Sequence, residues 1–350
     1  MPGKLIQHSR PTIGATDQAA LKRVLRSAHL TPGREAGSFE LEMAKCVRAK
    51  QAVAVGSGHA ALHLALLALD IGPGSEVLVP TYACTALLNA IGYVGAKAVV
   101  ADVDPETYNM TPETAKKRMT RRTRAVIAVH AFGMPCDIKA IRKLGRPVIE
   151  DAAMAVGGPV GTGGELSVFS FFATKMMATG QGGAITTNSG AKAKLIRDLI
   201  AHDNRKSYKL RFNYAMSDLA AALGRSQLAR LGKFVMRRRA IAGKYMRALK
   251  GLPGIIARPG KTQVKAGHVF FRFCVRTKKT VRTLAPKFKR LGIEVKEPVF
   301  KPMHRYLNLP RGKYPGCESF TGRVLSLPIY PSLADGEVKR VINACRRILG

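Results

Sequence analysis

None of the six cysteines, Cys46, Cys84, Cys136, Cys274, Cys317 and Cys345, stands at metal-ligand or disulfide-framework spacing from another. That scatter argues against a zinc centre and against a cross-linked secreted scaffold, so no metal is expected and the residues read as reduced, mostly buried thiols. Long apolar runs are also missing. The longest, residues 60–69, is interrupted by His63 and is too short to span a bilayer. The first eight residues contain no signal-peptide core. A cytoplasmic protein with no membrane partner is the expectation. Acidic residues are scarce: 22 Asp and Glu face 58 Lys and Arg, a formal net charge of +36. Such a balance can drive nonspecific binding to nucleic acid or anionic lipid, and it would attract a phosphorylated substrate. The basic residues are nevertheless spread over segments 116–118, 121–122, 237–239, 278–279 and 287–290. No helix-turn-helix, zinc-finger or RNA-binding signature accompanies them, so solvated helix faces are expected and no dedicated nucleic-acid partner.

What is present is an ordinary globular composition, 46% apolar over 350 residues. That length accommodates one large α/β domain and a smaller one. Periodicity predicts helices at 15–27, 37–49, 60–67, 85–91, 112–119, 138–144 and 191–201. Strands are expected at 52–55, 76–79, 98–102, 125–130, 148–150 and 183–187. Regular alternation implies right-handed crossovers and a mainly parallel sheet between helices. Residues 203–213 read as a polar, basic, ordered loop, followed by a helix-rich stretch over 218–249. The remainder, with strands at 269–275 and 293–295 and helices at 281–291 and 335–349, reads as a second, smaller α/β unit. The expected division is a large domain over 1–240, amino-terminal segment included, and a small one over 241–350.

Two residues carry the chemistry. Lys175 ends the run Ser170-Phe171-Phe172-Ala173-Thr174-Lys175, with small residues and glycines just beyond. In a partly dry pocket the ammonium is destabilised and the amine becomes nucleophilic. Asp151 closes the buried strand Pro147-Val148-Ile149-Glu150 and is followed by Ala152 and Ala153, which leave room for something flat. Taken singly, the lysine is more often a solvated surface charge and the aspartate a turn residue. Together they point to pyridoxal phosphate, which needs an amine for its imine and an anion to keep its pyridine nitrogen protonated. Gly56-Ser57-Gly58-His59 opens a helix directly after a strand. Such a turn is often a plain N-cap, but its free N–H groups and helix dipole also suit a phosphate. Ser57, Cys84, Asp151 and Lys175 all follow predicted strands, where ligands bind in open α/β sheets.

Further landmarks stand in order along nearly the whole chain: Leu30-Thr31-Pro32-Gly33, Ser57-Gly58-His59-Ala60-Ala61-Leu62, Asp102-Val103-Asp104-Pro105, Glu150-Asp151-Ala152-Ala153, Asn213-Tyr214-Ala215-Met216-Ser217-Asp218, and residues 325–331. With them the sequence resembles the DegT/StrS family of pyridoxal-phosphate-dependent sugar aminotransferases, of the aspartate-aminotransferase fold (fold type I). The resemblance implies that Lys175 forms the Schiff base and later moves the substrate proton. Asp151 would partner the pyridine nitrogen. Ser57, Gly58, backbone around His59, and Ser170 would hold the cofactor phosphate. Asn213 would reach that phosphate from a neighbouring subunit, in a homodimer with shared active sites.

Several positions depart from the family pattern. His59 stands where threonine is usual, and Met154 where glutamine or histidine approaches the cofactor's phenolic oxygen; a thioether cannot donate that bond. Cys84 replaces an aromatic that covers the ring, and Ala215 replaces a cation near the substrate entrance. His130 and His304 read equally as site or structural residues, and Tyr82 and Tyr330 as packing. The implied reaction moves an amino group from glutamate or glutamine to a keto sugar, with a nucleotide-linked one favoured. A keto-cyclitol or other small ketone is the alternative, mildly favoured by Ala215. Family dehydratases carry histidine in place of the lysine, so Lys175 argues against that chemistry. An intact Lys175 and Asp151 also argue against a regulatory or nucleic-acid-binding protein on the same scaffold.

Overall fold

Short runs rich in valine, isoleucine and alanine build a seven-stranded sheet in the computed structural model, which describes residues 5–203 and 205–350. Its strands are β1 Gln51–Val55, β2 Glu76–Pro80, β3 Lys97–Ala101, β4 Thr123–Val129, β5 Val148–Asp151, β6 Leu166–Ser170 and β7 Gly183–Thr187. They lie in the order β1-β7-β6-β5-β4-β2-β3. Only β7 runs against its neighbours, so the sheet is mainly parallel, as expected. Burial on both faces explains the near-continuous apolar strands. Within β2, Val77 and Val79 join one core while Leu78 joins the other, with Ile138 and Ile141. That split is the period of two expected of a strand covered on both sides.

Three helices matter for the site: α1 Ala15–Ser27, α2 Arg34–Val47 and α3 Gly58–Leu67. Residues 60–66 of α3 are all buried, so this helix, apolar on every side, is a core element. The helix expected at 37–49 starts earlier, at Arg34, because its cap is not local. Asp218 accepts the N–H groups of Gly33 at 2.8 Å, Glu35 at 3.2 Å and Ala36 at 3.0 Å, meeting orphan donors of the first turn.

A second, antiparallel sheet consists of β8 Ile255–Ala257, β9 Phe273–Thr277 and β10 Val324–Leu327, in the order β10-β9-β8. Helices Val281–Arg290 and Asp335–Leu349 pack over it through Leu284, Phe288, Val338 and Val341. Residue 240 lies inside one continuous helix, Leu231–Ala248. Leu231 and Val235 of that helix belong to a core beside the large sheet, and Ile241, Ala242 and Tyr245 to the second core. Ile6, from the amino-terminal segment grouped with the large unit, is buried in the second core and bridges Ile293.

Two expected strands differ. The segment at 293–295 makes only isolated bridges. The strand expected at 269–275 begins at Phe273, because the residues before it pair elsewhere. Val269 donates to Gly133 O at 3.0 Å and Arg272 to Phe132 O at 3.2 Å, with Phe270 at φ 54°. This detour carries Phe271 and Arg272 to the edge of the large sheet.

Candidate active site

Strand register brings the start of α3 level with the ends of β5 and β6. Gly183 pairs with both Val55 and Ser170, and Asp151 lies opposite Val168. Beyond this edge opens a cleft of about 540 Å³. Ser57, Gly58, His59 and Ser170 line one part of it, and Cys84, Asp151, Met154 and Lys175 another. Asn213 lies outside this lining and is exposed. Its loop is nonetheless pinned beside the start of α3, since Tyr214 O accepts the N–H of Gly56 at 2.6 Å.

Ser57 is in extended conformation and caps α3, its Oγ accepting the N–H of Ala60 at 3.0 Å. The N–H groups of Gly58 and His59 are left without helical acceptors, at the positive end of the dipole. Gly58 is glycine for a steric reason: a Cβ there would lie 2.7 Å from Ser170 Cβ. Gly183 is equally constrained, its hypothetical Cβ falling 2.4 Å from Ser57 O. Side chains at either position would separate Ser170 from the helix start. The His59 ring stacks on Tyr93 with centroids 5.2 Å apart, its Nε2 is buried without a hydrogen-bond partner among the described residues, and burial lowers its pKa. Burial therefore disfavours a charged imidazole beside the cradle.

Lys175 stands on a turn beyond β6 and not directly at the strand end; its N–H bonds Phe172 O at 2.8 Å. Its Nζ lies 5.4 Å from the centroid of the Phe271 ring. Burial lowers the ammonium's pKa, Asp151 and Cys84 oppose that shift, and Arg272 adds to it. Asp151, the last residue of β5, is pushed up by burial, against the N–H of Ala153, Lys175 and His130. Ala153 N–H occupies Oδ1 at 3.0 Å, and Oδ2 has no hydrogen-bond partner among the described residues.

Neither histidine left open by the sequence lines the cleft. His130 Nδ1 accepts the N–H of Cys136 at 2.8 Å, so its Nε2–H donates to Glu150 Oε1 at 2.9 Å behind β5. Burial would raise the Glu150 pKa, but His130, Ser167 and Gly161 bring it down to about 2. His304, also buried, joins Thr81 Oγ1 and Glu318 Oε1, each at 2.7 Å. Tyr82 packs against Phe132 and Phe320 and also lines the cleft, whereas Tyr330 packs in the second core. Phe271, Arg272 and Lys301 complete the cleft and were not singled out by sequence; Arg272 sits in a stretch whose alternation reads as strand.

A mainly parallel seven-stranded sheet with a half-buried lysine and a buried carboxylate beside a helix start is the arrangement of a fold type I aminotransferase. The chain belongs to the DegT/DnrJ/EryC1/StrS aminotransferase family, whose model matches residues 11–346. It is 36% identical over 338 residues to GDP-perosamine synthase of Caulobacter vibrioides, covering 91% of each chain. It is 35% identical to the spore coat polysaccharide biosynthesis protein SpsC of Bacillus subtilis, covering 98% of this chain and 97% of that one. The crystal structure of the aminotransferase TlmJ from Streptoalloteichus hindustanus superposes with a TM-score of 0.91 at 31% identity, over 99% of both chains. Aminotransferases of this family depend on pyridoxal phosphate. The residues present fit that group: a glycine-permitted cradle of N–H groups and serine hydroxyls for a dianion, an unpaired Asp151 Oδ2, and a desolvated amine.

Proposed function

We propose that this cleft transfers an amino group from an amino-acid donor, glutamate or glutamine, to a keto sugar, favouring a nucleotide-linked one. The observation carrying this reading is the convergence of Lys175, Asp151 and the Ser57–Ser170 cradle on one cleft. The sugar assignment is supported by the relatives named GDP-perosamine synthase and spore coat polysaccharide biosynthesis protein. Pyridoxal phosphate, when bound, supplies a carbonyl carbon and an electron-withdrawing ring. Ser57, Gly58, the backbone of His59, and Ser170 would hold its phosphate, where the helix dipole contributes about 1 kcal/mol. Cys84 and Met154 would flank the ring with soft apolar surface, and neither offers a strong hydrogen bond. Asp151 Oδ2 would hold the proton of the ring nitrogen, which would give the buried carboxylate a direct hydrogen-bonded counter-charge. Lys175 Nζ, deprotonated more readily through burial, would attack as nucleophile and move the proton at the substrate carbon. The other lysine lining the cleft, Lys301, lies over the Tyr306 ring at 4.7 Å.

The two cores are proposed to act as a large and a small domain divided near residue 240, and the cleft draws residues from both parts. Scattered free thiols fit a reducing, cytoplasmic setting. Among the described residues no helix is long and apolar enough to cross a membrane.

The test of the substrate reading loads the enzyme with the amine form of its cofactor and offers keto sugars, free and nucleotide-linked, beside keto-cyclitols. Return of the aldehyde-form absorbance with a keto sugar is expected. Return with a keto-cyclitol alone would overturn the sugar reading.

A homodimer with shared sites is also proposed, in which Asn213 serves the cleft of a second copy. It is exposed, absent from its own cleft lining, and held on an ordered loop at the start of α3. Losing a hydrogen bond to a charged group costs about 1.5–3 kcal/mol, so Asn213→Ala should weaken cofactor binding about tenfold or more. Dilution of the wild type should do likewise. Sedimentation with cofactor absorbance measures both, and a monomer with full cofactor occupancy would sink the shared-site proposal.

A further inference from the structure

Three cationic side chains line the cleft, Lys175, Arg272 and Lys301, against a single carboxylate, Asp151. Lys175 and Asp151 act on one another, which leaves Arg272 as the deep, unbalanced charge. Its guanidinium carbon lies 4.7 Å from the centroid of Phe271, the same ring that Lys175 Nζ approaches to 5.4 Å. Arg272 Nη1 donates to His8 Nδ1 at 2.8 Å. No carboxylate lies within ion-pair distance of Arg272 among the described residues, and Nε and Nη2 have no hydrogen-bond partner there. His8 does not compensate the charge: burial, then Arg272 and Lys296, hold its pKa down to about 2, so it is a neutral acceptor that fixes the fork. Glu294, the acid acting on Arg272 from a distance, is taken up by Lys296 Nζ and the N–H of His8, both at 2.9 Å.

A largely desolvated guanidinium with no anion is costly, and its spare planar donors match a carboxylate. We propose that Arg272 is the anchor for the carboxylate of the amino-acid donor. The proposal rests on reading the cleft as the transfer site. Position favours this anion over the diphosphate of a nucleotide-linked acceptor. The carboxylate of an amino acid is one bond from the reacting carbon and must bind close to Lys175, on the shared Phe271 ring. A diphosphate is separated from the keto carbon by the sugar ring and would lie further out, towards Lys301 and the 90% exposed Phe300.

The test is calorimetric titration of the cofactor-loaded enzyme with glutarate, which carries the donor's carboxylates but cannot react, and separately with GDP. Truncating one member of a desolvated charge pair predicts a loss of glutarate affinity of about 30-fold or more in Arg272→Gln, with GDP affinity unchanged. Arg272→Lys keeps the charge but loses the fork, and should fall between, about tenfold below wild type. It also serves if the glutamine variant does not fold. Cofactor absorbance should persist in both variants, which separates loss of the anchor from loss of the pocket. Unchanged glutarate affinity in either variant, or loss of GDP affinity in place of glutarate affinity, would overturn the proposal. Failure of the keto-sugar panel would leave this measurement intact, so the two readings fail independently.

Discussion

Lys175→Ala should lower amino transfer by about four orders of magnitude or more, because one side chain acts as both nucleophile and proton carrier. No other amine can take its place: Lys301 is held over Tyr306, and the remaining cation, Arg272, cannot be deprotonated. The fold should survive, since among the described residues the Lys175 Nζ makes no hydrogen bond, only a ring contact with Phe271. Removing the ammonium also strips Asp151 of a group that opposes its upward pKa shift. Lys175→Arg is the informative companion. It preserves positive charge beside Asp151 but offers no free amine, so activity should stay low while stability matches wild type. Single-turnover absorbance with donor, alongside thermal melting, checks both, and an arginine variant within tenfold of wild type would remove the amine from the mechanism.

The second large effect is expected at Asp151. Asp151→Asn keeps the shape and the bond from Ala153, but presents an amide where Oδ2 now stands free. A ring nitrogen held there would no longer face an anion, and the electron-withdrawing power of the ring would fall. Loss of one such electrostatic stabiliser typically lowers turnover by about 10²–10³-fold. Cofactor occupancy should persist, because the Ser57 and Ser170 end of the cleft is untouched. Turnover and cofactor absorbance of the same preparation decide it; undiminished turnover would exclude Asp151 from the chemistry.

The parts of this site legible in the chain were those written locally. The glycine–serine turn before α3, the aspartate closing β5 and the lysine among small residues each carry a short-range signature. Six of the seven large-sheet strands were readable because burial on both faces makes them mostly apolar, as in β2, where all five residues are buried; β6 was not among the strands expected. What escaped was set by distant partners. Helix α2 begins at Arg34 because Asp218, 182–185 residues away, supplies its cap. Arg272 looked like one position in a strand because the pull of Phe132 and Gly133 on residues 269–272 has no local mark. Its other anchor, His8, lies 264 residues away. His130 and His304 could not be separated from site residues by sequence, since only the fold reveals that each is held by a carboxylate outside the cleft, Glu150 and Glu318. The departures His59, Cys84 and Met154 were visible as letters, but the stacking of His59 on Tyr93 was not.

Borohydride reduction of the cofactor-loaded enzyme, followed by peptide mapping, tests the assignment of this cleft most directly. The pyridoxyl label should fall on Lys175 alone, within the peptide that contains Phe172 and Met176. Label on another lysine, or none in cofactor-saturated protein, would contradict it.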